Sequence, residues 1–228
     1  MSGAKRIAIA IDGPAASGKS STAQWVAERL GYRHVDSGSL YRALTAAMVR
    51  GGRSPESWAG EEVVAQGSRI TLRPEKHSFV TLIDGESVDE EIRSMGVTAH
   101  VSRVAVMPAV RVWVNEQVRR AAEAHDVVVD GRDMGTAVFP DASLKVFLVA
   151  DPWERARRRL TQRLGRRPTD EEVAEETDVL VQRDSKDATQ TVQAKDAVLL
   201  DTTYLTQAEQ VERIVALAHA VSHRPSVT

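Results

Sequence analysis

Apolar residues along this chain fall into short continuous runs that alternate with stretches of helical periodicity. The continuous runs predict strands at residues 7–11, 127–129, 145–149 and 198–200, with a weaker one at 34–35. Short apolar runs of this kind are typical of strands that are buried on both faces of a sheet. Because the strands alternate with helices, the pattern predicts a parallel sheet with helices on both sides.

The helical stretches repeat apolar residues at the three- and four-residue spacing of an amphipathic helix. The first covers residues 19–30 and is followed by Gly31, a typical C-cap. The second ends at Gly51 and Gly52, and the last opens with the capping pair Thr206 and Glu209. The predicted apolar faces are Ala23, Val26, Ala27 and Leu30; Leu40, Leu44, Ala47 and Met48; Val110, Val114, Val118 and Ala121; and Val211, Ile214, Val215 and Ala218.

Two segments break this alternation. Residues 69–72 and 79–83 flank the polar stretch RPEKHS and predict a hairpin, which the turn DGES follows. Residues 153–167 hold seven arginines and one acid, whereas residues 169–178 hold six acids and no base, beginning with the capping pair Thr169 and Glu172. The charges predict either two solvated helices that attract each other or a mobile lid whose arginines reach phosphate.

Composition narrows the class of protein. The chain has 228 residues, is 42% hydrophobic, and carries a net charge of -2 from 30 basic and 32 acidic side chains. This balance argues against nucleic acid or an anionic membrane as a partner. There is no cysteine, and the apolar run that ends at Asp12 is too short for a signal peptide or a membrane span. We therefore expect a cytoplasmic protein, with a monomer as the default.

The strongest chemical signal is the segment from Gly13 to Ser20, GPAASGKS, which matches the phosphate-loop pattern in full. Its glycines let successive N–H groups converge on phosphate oxygens, and the following helix directs its positive end at the same anion. Lys19 is expected to bridge the β and γ phosphates, and the Ser20 hydroxyl to bind magnesium. The predicted nucleotide-binding residues are Gly13, Pro14, Ala15, Ala16, Ser17, Gly18, Lys19, Ser20 and Ser21.

The loop alone does not choose among a regulatory GTPase, an ATP-driven motor and a small-molecule kinase. GTPases read guanine with Asn-Lys-x-Asp, but the one asparagine here, Asn115, lies inside a predicted helix. A motor domain would normally be longer than this chain. The kinase class requires a second, arginine-rich site that holds an anionic acceptor in line with the donor.

Residues suited to such a site follow two predicted strands. Asp36, Ser37 and Arg42 follow the second strand, and Asp130, Arg132 and Asp133 follow three buried valines, at the strand ends where open α/β sheets bind ligands. An ordinary loop salt bridge is the alternative. A phosphate acceptor, whose second pKa is about 6, needs no strong general base, but it needs arginines to offset repulsion between two phosphate groups. The six histidines show no metal-ligand spacing.

Across nearly its whole length the chain resembles the bacterial cytidylate kinases, within the nucleoside monophosphate kinase family of P-loop proteins. The resemblance rests on IDGPAASGKSS, DSGSLYR, DEEIRS, VSRVAVMPAVR, DGRDMGTAVFPDA and WERARRR. It implies an α/β fold in which helices flank a five-stranded parallel sheet, with an α+β monophosphate-binding insertion and a helical lid. It also implies transfer of the γ-phosphoryl group of ATP to CMP or dCMP with Mg²⁺. The implied limits are residues 1–40, 106–151 and 191–228 for the core, 41–105 for the insertion and 152–190 for the lid.

The resemblance assigns roles residue by residue. Those expected on the monophosphate side are Ser37, Tyr41, Arg42 and Arg93; those expected to read cytosine are Ser102, Arg111 and Asp133. Arg132 matches a phosphate-binding arginine, Asp130 joins Ser20 near magnesium, and Arg183 and Asp187 lie toward the acceptor, with Asp187 near its sugar. Arg155, Arg158 and Arg159 match the start of the lid. The expected catalytic residues are Lys19, Arg132 and Arg158.

The cytosine assignment has a chemical reason. A carboxylate at Asp133 can accept a hydrogen bond from the N4 amino group, and Arg111 can donate to the O2 and N3 edge. Uracil presents an acceptor, O4, where cytosine presents the amino group, so an unpaired group should cost UMP about 1–3 kcal/mol.

The chain departs from the family pattern in one place. Ala188 and Gln190 stand where the family commonly has serine and arginine, and the connection that follows is shorter. A neutral amide cannot replace a guanidinium as a cationic donor of paired hydrogen bonds. The departure bears on the choice between CMP and dCMP, and Lys186 is a candidate replacement for the missing charge.

The first hypothesis is therefore an ATP-dependent CMP and dCMP kinase. A related kinase for UMP, AMP or another small acceptor is the nearest alternative. A P-loop NTPase that acts as a switch is a further alternative of a different class.

Overall fold

The computed structural model describes residues 6–222 and shows an alternating arrangement of strands and helices. The strands are β1 (Ala8–Asp12), β2 (Arg33–Asp36), β3 (Ile70–Pro74), β4 (Phe79–Ile83), β5 (Glu86–Ser87), β6 (Val127–Gly131), β7 (Leu144–Val149) and β8 (Val198–Asp201). The helices are α1 (Lys19–Leu30), α2 (Ser37–Arg50), α3 (Gly60–Ala65), α4 (Met95–Ala105), α5 (Pro108–Glu123), α6 (Pro152–Leu164), α7 (Asp170–Asp187) and α8 (Gln207–Ser222).

The central sheet has five parallel strands in the order β2-β6-β1-β7-β8, which confirms the predicted fold class. Helices cover both faces of the centre of the sheet, so every residue of β6 is buried, whereas Val198 and Leu199 of the edge strand β8 are exposed. The predicted strand ended at Val129, but β6 continues to Gly131, because its pairing with β1 extends to Gly131 opposite Asp12.

The strand register brings three acidic residues to one edge of the sheet. Asp12 at the end of β1 lies opposite Gly131, and Asp36 at the end of β2 lies opposite Asp130. Parallel strands that end level place their following loops side by side, and these loops carry the phosphate loop and the predicted second site.

The helices bury their predicted apolar faces on opposite sides of the sheet. Val26 of α1 and Ile214 of α8 pack with Ile9 and Ile11 on one side, whereas the apolar faces of α2, α4 and α5 form the core on the other. Burial of each large apolar side chain contributes about 1.5–3 kcal/mol. The predicted C-cap is confirmed at Gly31, which has φ 72°, and so is the reciprocal capping of Thr206 and Glu209.

The segment between α2 and α4 forms a small antiparallel sheet. The predicted hairpin is confirmed as β3 and β4, and β5 adds a third strand that the sequence indicated only as part of a turn. Asp84 and Gly85 make that turn with positive φ values of 54° and 84°. The predicted domain limits remain predictions, and their outermost residues, 1–5 and 223–228, lie outside the described part of the chain.

The two oppositely charged segments form the helices α6 and α7, called here the helical pair. Arg159 and Arg163 of α6 pair with Glu176 of α7, and Leu160 and Leu180 pack in a shared apolar cluster that includes Ala15 of the phosphate loop. The predicted capping box of Thr169 and Glu172 is present. Between residues 6 and 222, no helix is both long enough and apolar enough to cross a membrane.

Candidate active site

The phosphate loop joins the end of β1 to the start of α1. Gly13 is required there because an added Cβ would lie 2.3 Å from the carbonyl oxygen of Leu148. Gly18 is the N-cap of α1 with φ 87°, and no side chain caps the helix. The first N–H groups of α1 therefore remain free to bind an anion.

Lys19 lies across this loop and is nearly buried, with 6% of its surface exposed. Its Nζ donates a hydrogen bond to the carbonyl oxygen of Pro14 at 2.8 Å. Burial, reinforced by the positive charge of Arg132, lowers the pKa of Lys19 to about 7. A phosphate group would favour the charged lysine, so the loop is electrostatically suited to an anion.

The helical pair holds the backbone of the loop at Ala15. Arg155 of α6 donates to the carbonyl oxygen of Ala15 at 2.8 Å, and Asp184 of α7 accepts from its N–H at 3.3 Å. The two side chains also pair with each other at 2.7 Å. The next residue, Ala16, has the strained φ value of 57°, so this ion pair fixes the loop where its backbone is least relaxed. Sequence reasoning grouped Arg155 with the lid and missed Asp184, because nothing local links it to a loop 169 residues away.

At the sheet edge, three polar side chains form a chain of hydrogen bonds. The Ser20 hydroxyl donates to Asp130 Oδ2 at 2.6 Å, and His34 Nε2 donates to Asp130 Oδ1 at 2.7 Å. Burial raises the pKa of Asp130, but the hydrogen bond and charge of His34 outweigh it and leave the pKa lowered. Burial lowers the pKa of His34, yet Asp130 raises it above its usual value.

This arrangement fits the predicted magnesium ion. Ser20 and Asp130 offer hard oxygen donors within 2.6 Å of each other, which Mg²⁺ prefers, and Mg²⁺ commonly takes its other ligands from water and substrate phosphates. Among residues 6–222, no group of three or more His, Cys, Asp or Glu side chains is placed to hold a metal ion. Sequence reasoning did not anticipate His34, whose position in a weak strand gave no sign of its contact with Asp130.

One cavity connects the phosphate loop with the predicted second site. Seven basic side chains and four carboxylates line it, so positive charge is in excess: Lys19, Arg42, Arg93, Arg111, Arg132, Arg159, Arg183, Asp36, Asp130, Asp133 and Asp187. Of the other predicted site residues, Ala15, Ala16, Ser20, Ser37, Tyr41 and Ser102 also line it. Gly13, Pro14, Ser17, Gly18 and Ser21 do not line the cavity.

Arg111 and Asp133 form an ion pair in the part of the cavity lined by α4 and α5. Burial raises the pKa of Asp133 although Arg111 opposes the rise. The buried hydroxyl of Tyr41 has no hydrogen-bond partner in the described structure, and burial raises its pKa to about 12. The unpaired hydroxyl of Tyr41 and the Arg111–Asp133 pair therefore line a space that a polar ligand can fill.

Arginines and one carboxylate lie together at the α7 end of the cavity. Arg132 and Arg183 approach Asp187 at 3.4 and 3.8 Å. Half-buried Gln190 lines the same corner, whereas Lys186 is exposed and is absent from the lining. Gln190, which stands where the family commonly has arginine, therefore lines the cavity, whereas Lys186 does not.

Arg42 lies on the α2 side of the cavity. It donates to the carbonyl oxygen of Ile92 and to Thr98 Oγ1, each at 3.0 Å. Burial, helped by the charges of Arg183 and Arg93, lowers its pKa to about 10. Arg93 is exposed and lies 3.7 Å from Asp36.

Arg158 is the predicted residue that the structure does not bring to the others. Its Nη2 donates to the carbonyl oxygens of Thr202 and Thr203 at 2.5 and 2.7 Å, after β8. Its neighbour Arg159 lines the cavity instead. A catalytic role for Arg158 remains a prediction, and it would require the side chain to leave these carbonyl groups.

Asp12 is a further buried carboxylate that sequence reasoning did not single out. It accepts hydrogen bonds from the backbone N–H groups of Met134 and Gly135, each at 2.8 Å. Burial raises its pKa from 3.8 to about 6, although those two hydrogen bonds oppose the rise. Its place directly before a phosphate loop was the only available signal.

Comparison with known proteins identifies relatives over almost the whole chain. The family model described as cytidylate kinase matches residues 9–220. The cytidylate kinase of Chloroherpeton thalassium is 41% identical, with 94% of each chain covered. That of Limosilactobacillus fermentum is 42% identical over 92% of this chain and 94% of its own.

A solved structure agrees with the fold. An uncharacterized protein from Eubacterium ventriosum superposes with a TM-score of 0.50 and 12% identity, covering 95% of this chain and 99% of its own. An identity this low bears on the fold alone. The extent and identity of the sequence matches show that the chain belongs to the cytidylate kinase family.

Proposed function

We propose that the cavity transfers the γ-phosphoryl group of ATP to CMP or dCMP, giving ADP and CDP or dCDP. The observation that carries the proposal is that the phosphate loop and the Arg111–Asp133 pair open onto the same cavity. A cavity that pairs a phosphate loop with a carboxylate able to accept from an amino group suits two nucleotides, one of them bearing cytosine.

The donor side consists of the phosphate loop. Its free N–H groups and Lys19 hold the β and γ phosphates, and the buried lysine gains charge stabilisation when phosphate arrives. Ser20 and Asp130 would hold Mg²⁺, which would supply positive charge to offset the charge of the phosphates.

The acceptor side consists of Ser37, Tyr41, Arg42, Arg93, Ser102, Arg111, Arg132, Asp133, Arg183 and Asp187. Asp133 accepts from the cytosine amino group, and Arg111 donates to the O2 and N3 edge. Ser37, Tyr41, Arg42 and Arg93 hold the monophosphate, and Asp187 contacts the sugar. All ten line the cavity, which supports these roles.

Charge, and not proton abstraction, drives the reaction in this proposal. The attacking oxygen belongs to a phosphate whose second pKa is about 6, so near neutral pH it is already ionised. The excess of basic side chains offsets repulsion between the two nucleotides, and Lys19 and Arg132 stabilise the charge of the transferring group. Arg158 joins them only if its side chain leaves the carbonyl groups of Thr202 and Thr203.

We further propose a cytoplasmic monomer without nucleic-acid or membrane partners. The absence of cysteine supports the cytoplasmic location, and the near-balanced net charge of -2 argues against nucleic acid or an anionic membrane as a partner.

A coupled assay of ADP formation tests the function. ATP is supplied with CMP, dCMP, UMP, AMP or no acceptor, and turnover should be fastest with CMP or dCMP. Faster turnover with UMP or AMP would favour a related kinase, and turnover that no acceptor changes would indicate an NTPase switch.

A further inference from the structure

Asp133 occupies a position where aspartate normally serves the backbone. It is the N-cap of a short helical turn, Met134–Val138, yet its side chain makes no capping hydrogen bond. An aspartate at an N-cap usually accepts from the second or third N–H of the turn. Here the carboxylate pairs with Arg111 and faces the cavity instead.

A second aspartate supplies the missing cap. Asp12 comes from the end of β1 and accepts from Met134 N–H with Oδ1 and from Gly135 N–H with Oδ2, both at 2.8 Å. Both oxygens are engaged, and only 4% of the residue is exposed. The strand register makes this possible, because Asp12 lies opposite Gly131, shortly before the turn.

We propose that Asp12, the residue directly before the phosphate loop, is a positioning residue for acceptor-base selection. By capping the Met134–Val138 turn in place of Asp133, it leaves the Asp133 carboxylate beside Arg111 at the cavity, where it can accept from the amino group of cytosine. The proposal rests on the proposed function, and it gives a residue of the donor-side segment an effect on the acceptor.

The chemistry of the cap explains why a carboxylate is needed. With a pKa of about 6, Asp12 is ionised near neutral pH and can accept from two N–H groups at once. An asparagine offers one carbonyl oxygen and an NH₂ group that would face an N–H donor. The N–H group left without a partner would then compete for the nearby Asp133 carboxylate.

The test measures kcat and KM for CMP, UMP and ATP in Asp12→Asn and Asp12→Ser. The preference for CMP over UMP, as the ratio of kcat/KM values, should fall about ten-fold, since a buried N–H group loses its partner. The KM for ATP should change less than about two-fold. Asp151→Asn is the matched control, because Asp151 also caps a turn, at Trp153 and Glu154 of α6, and it should leave the preference unchanged.

A double-mutant cycle shows whether Asp12 acts through Asp133. In an Asp133→Ala background, Asp12→Asn should cause no further loss of preference. A loss that adds to that of Asp133→Ala, or a rise in the KM for ATP equal to that for CMP, would overturn the proposal. If the unsubstituted enzyme itself shows no preference for CMP, the proposed function fails first, which is a separate result.

Amide hydrogen exchange of the unsubstituted enzyme gives a readout that needs no variant to fold. The N–H groups of Met134 and Gly135 should be protected before any nucleotide binds, and CMP should add little protection. Rapid exchange of these two groups until CMP binds would contradict a cap that is already in place.

Discussion

The phosphate loop takes its residues from one continuous stretch of chain, whereas the acceptor side draws on α2, the short turn Glu91–Arg93, α4, α5, α7 and the loop after β6. In the proposed function, the loop binds phosphate mainly through backbone N–H groups, and the acceptor side binds through side chains. A continuous backbone site is specified by local conformation, so a motif identifies it. A site assembled from six separate elements depends on how those elements pack.

The two sides are nevertheless joined at several points. Arg155 and Asp184 of the helical pair hold Ala15 in the phosphate loop, and Asp12 links the end of β1 to the turn beside Asp133. We therefore expect that some substitutions change the kinetic constants for both nucleotides and that others change those for one nucleotide only.

The largest effect is expected for Lys19→Met, which removes the buried cation from the phosphate loop. The kcat should fall about 100-fold to 1000-fold, as it does when one donor to a developing charge is lost. The fall should be equal for CMP and dCMP, because Lys19 acts on the transferring group. Steady-state kinetics check this, with Lys76→Met in the exposed β3–β4 connection as the control. A fall in kcat that differed between CMP and dCMP would mean that Lys19 acts on the acceptor and not on the transferring group.

The raised pKa of Asp12 predicts that the free energy of unfolding depends on pH. Because burial raises its pKa from 3.8 to about 6, the neutral carboxyl is favoured in the folded state. Protonation of Asp12 therefore adds to the free energy of unfolding. This contribution is fully present below about pH 3.8 and is lost as the pH rises through about 6.

Urea unfolding at several pH values between about 4 and 7.5 measures this difference. Relative to Asp12→Asn, the unsubstituted chain should lose up to about 3 kcal/mol of unfolding free energy over that range, the equivalent of two pKa units. Stability curves that run parallel for the two proteins would show that Asp12 is not shifted as described.

A selective effect is expected for Asp133→Ala on the acceptor side. The preference for CMP over UMP should fall by about 1–3 kcal/mol, between about five-fold and 150-fold, because no carboxylate then receives the amino group. The KM for ATP should stay nearly constant. Kinetics with CMP, UMP and ATP provide the measurement, and a variant that kept full preference for CMP would remove the base-reading role.

The smallest effect is expected for Gln190→Arg, which restores a cation at the corner beside Arg132 and Arg183. The KM for CMP should fall about two- to three-fold, consistent with a partly exposed charge interaction below about 1 kcal/mol. Comparison of CMP with dCMP separates a phosphate contact from a sugar contact. Lys186→Gln is the matched control, since Lys186 is exposed and outside the cavity lining. A higher KM for CMP would mean that a third arginine crowds the corner.

Much of the fold could be predicted because its signals are local. Buried valines at 127–129 indicate a central strand, and the caps at Gly31, Thr169 and Thr206 mark helix ends. The third strand β5 was missed because two exposed residues, Glu86 and Ser87, have no apolar pattern. The helix α3, only six residues long, gives too short a pattern to recognise.

The site divides in the same way. The sequence indicated Arg132 and Asp133 because charged residues follow a buried strand, and the resemblance supplied Arg111 and Ser102. Neither the sequence nor the resemblance indicated that Arg158 would donate to the carbonyl groups of Thr202 and Thr203 while Arg159 faced the cavity. Neighbouring arginines on a helix point in different directions, and only packing decides which of them reaches the site.

By itself the sequence determined the phosphate loop, the parallel sheet and the family, because a glycine-rich turn, a buried strand and a helix cap each depend on residues that are close together in the sequence. Only the tertiary structure decided that Asp184 holds Ala15, that His34 contacts Asp130 and that Asp12 caps the turn beside Asp133. These contacts join residues about 100 or more positions apart, and their geometry is set by strand register and helix packing, which local sequence does not encode.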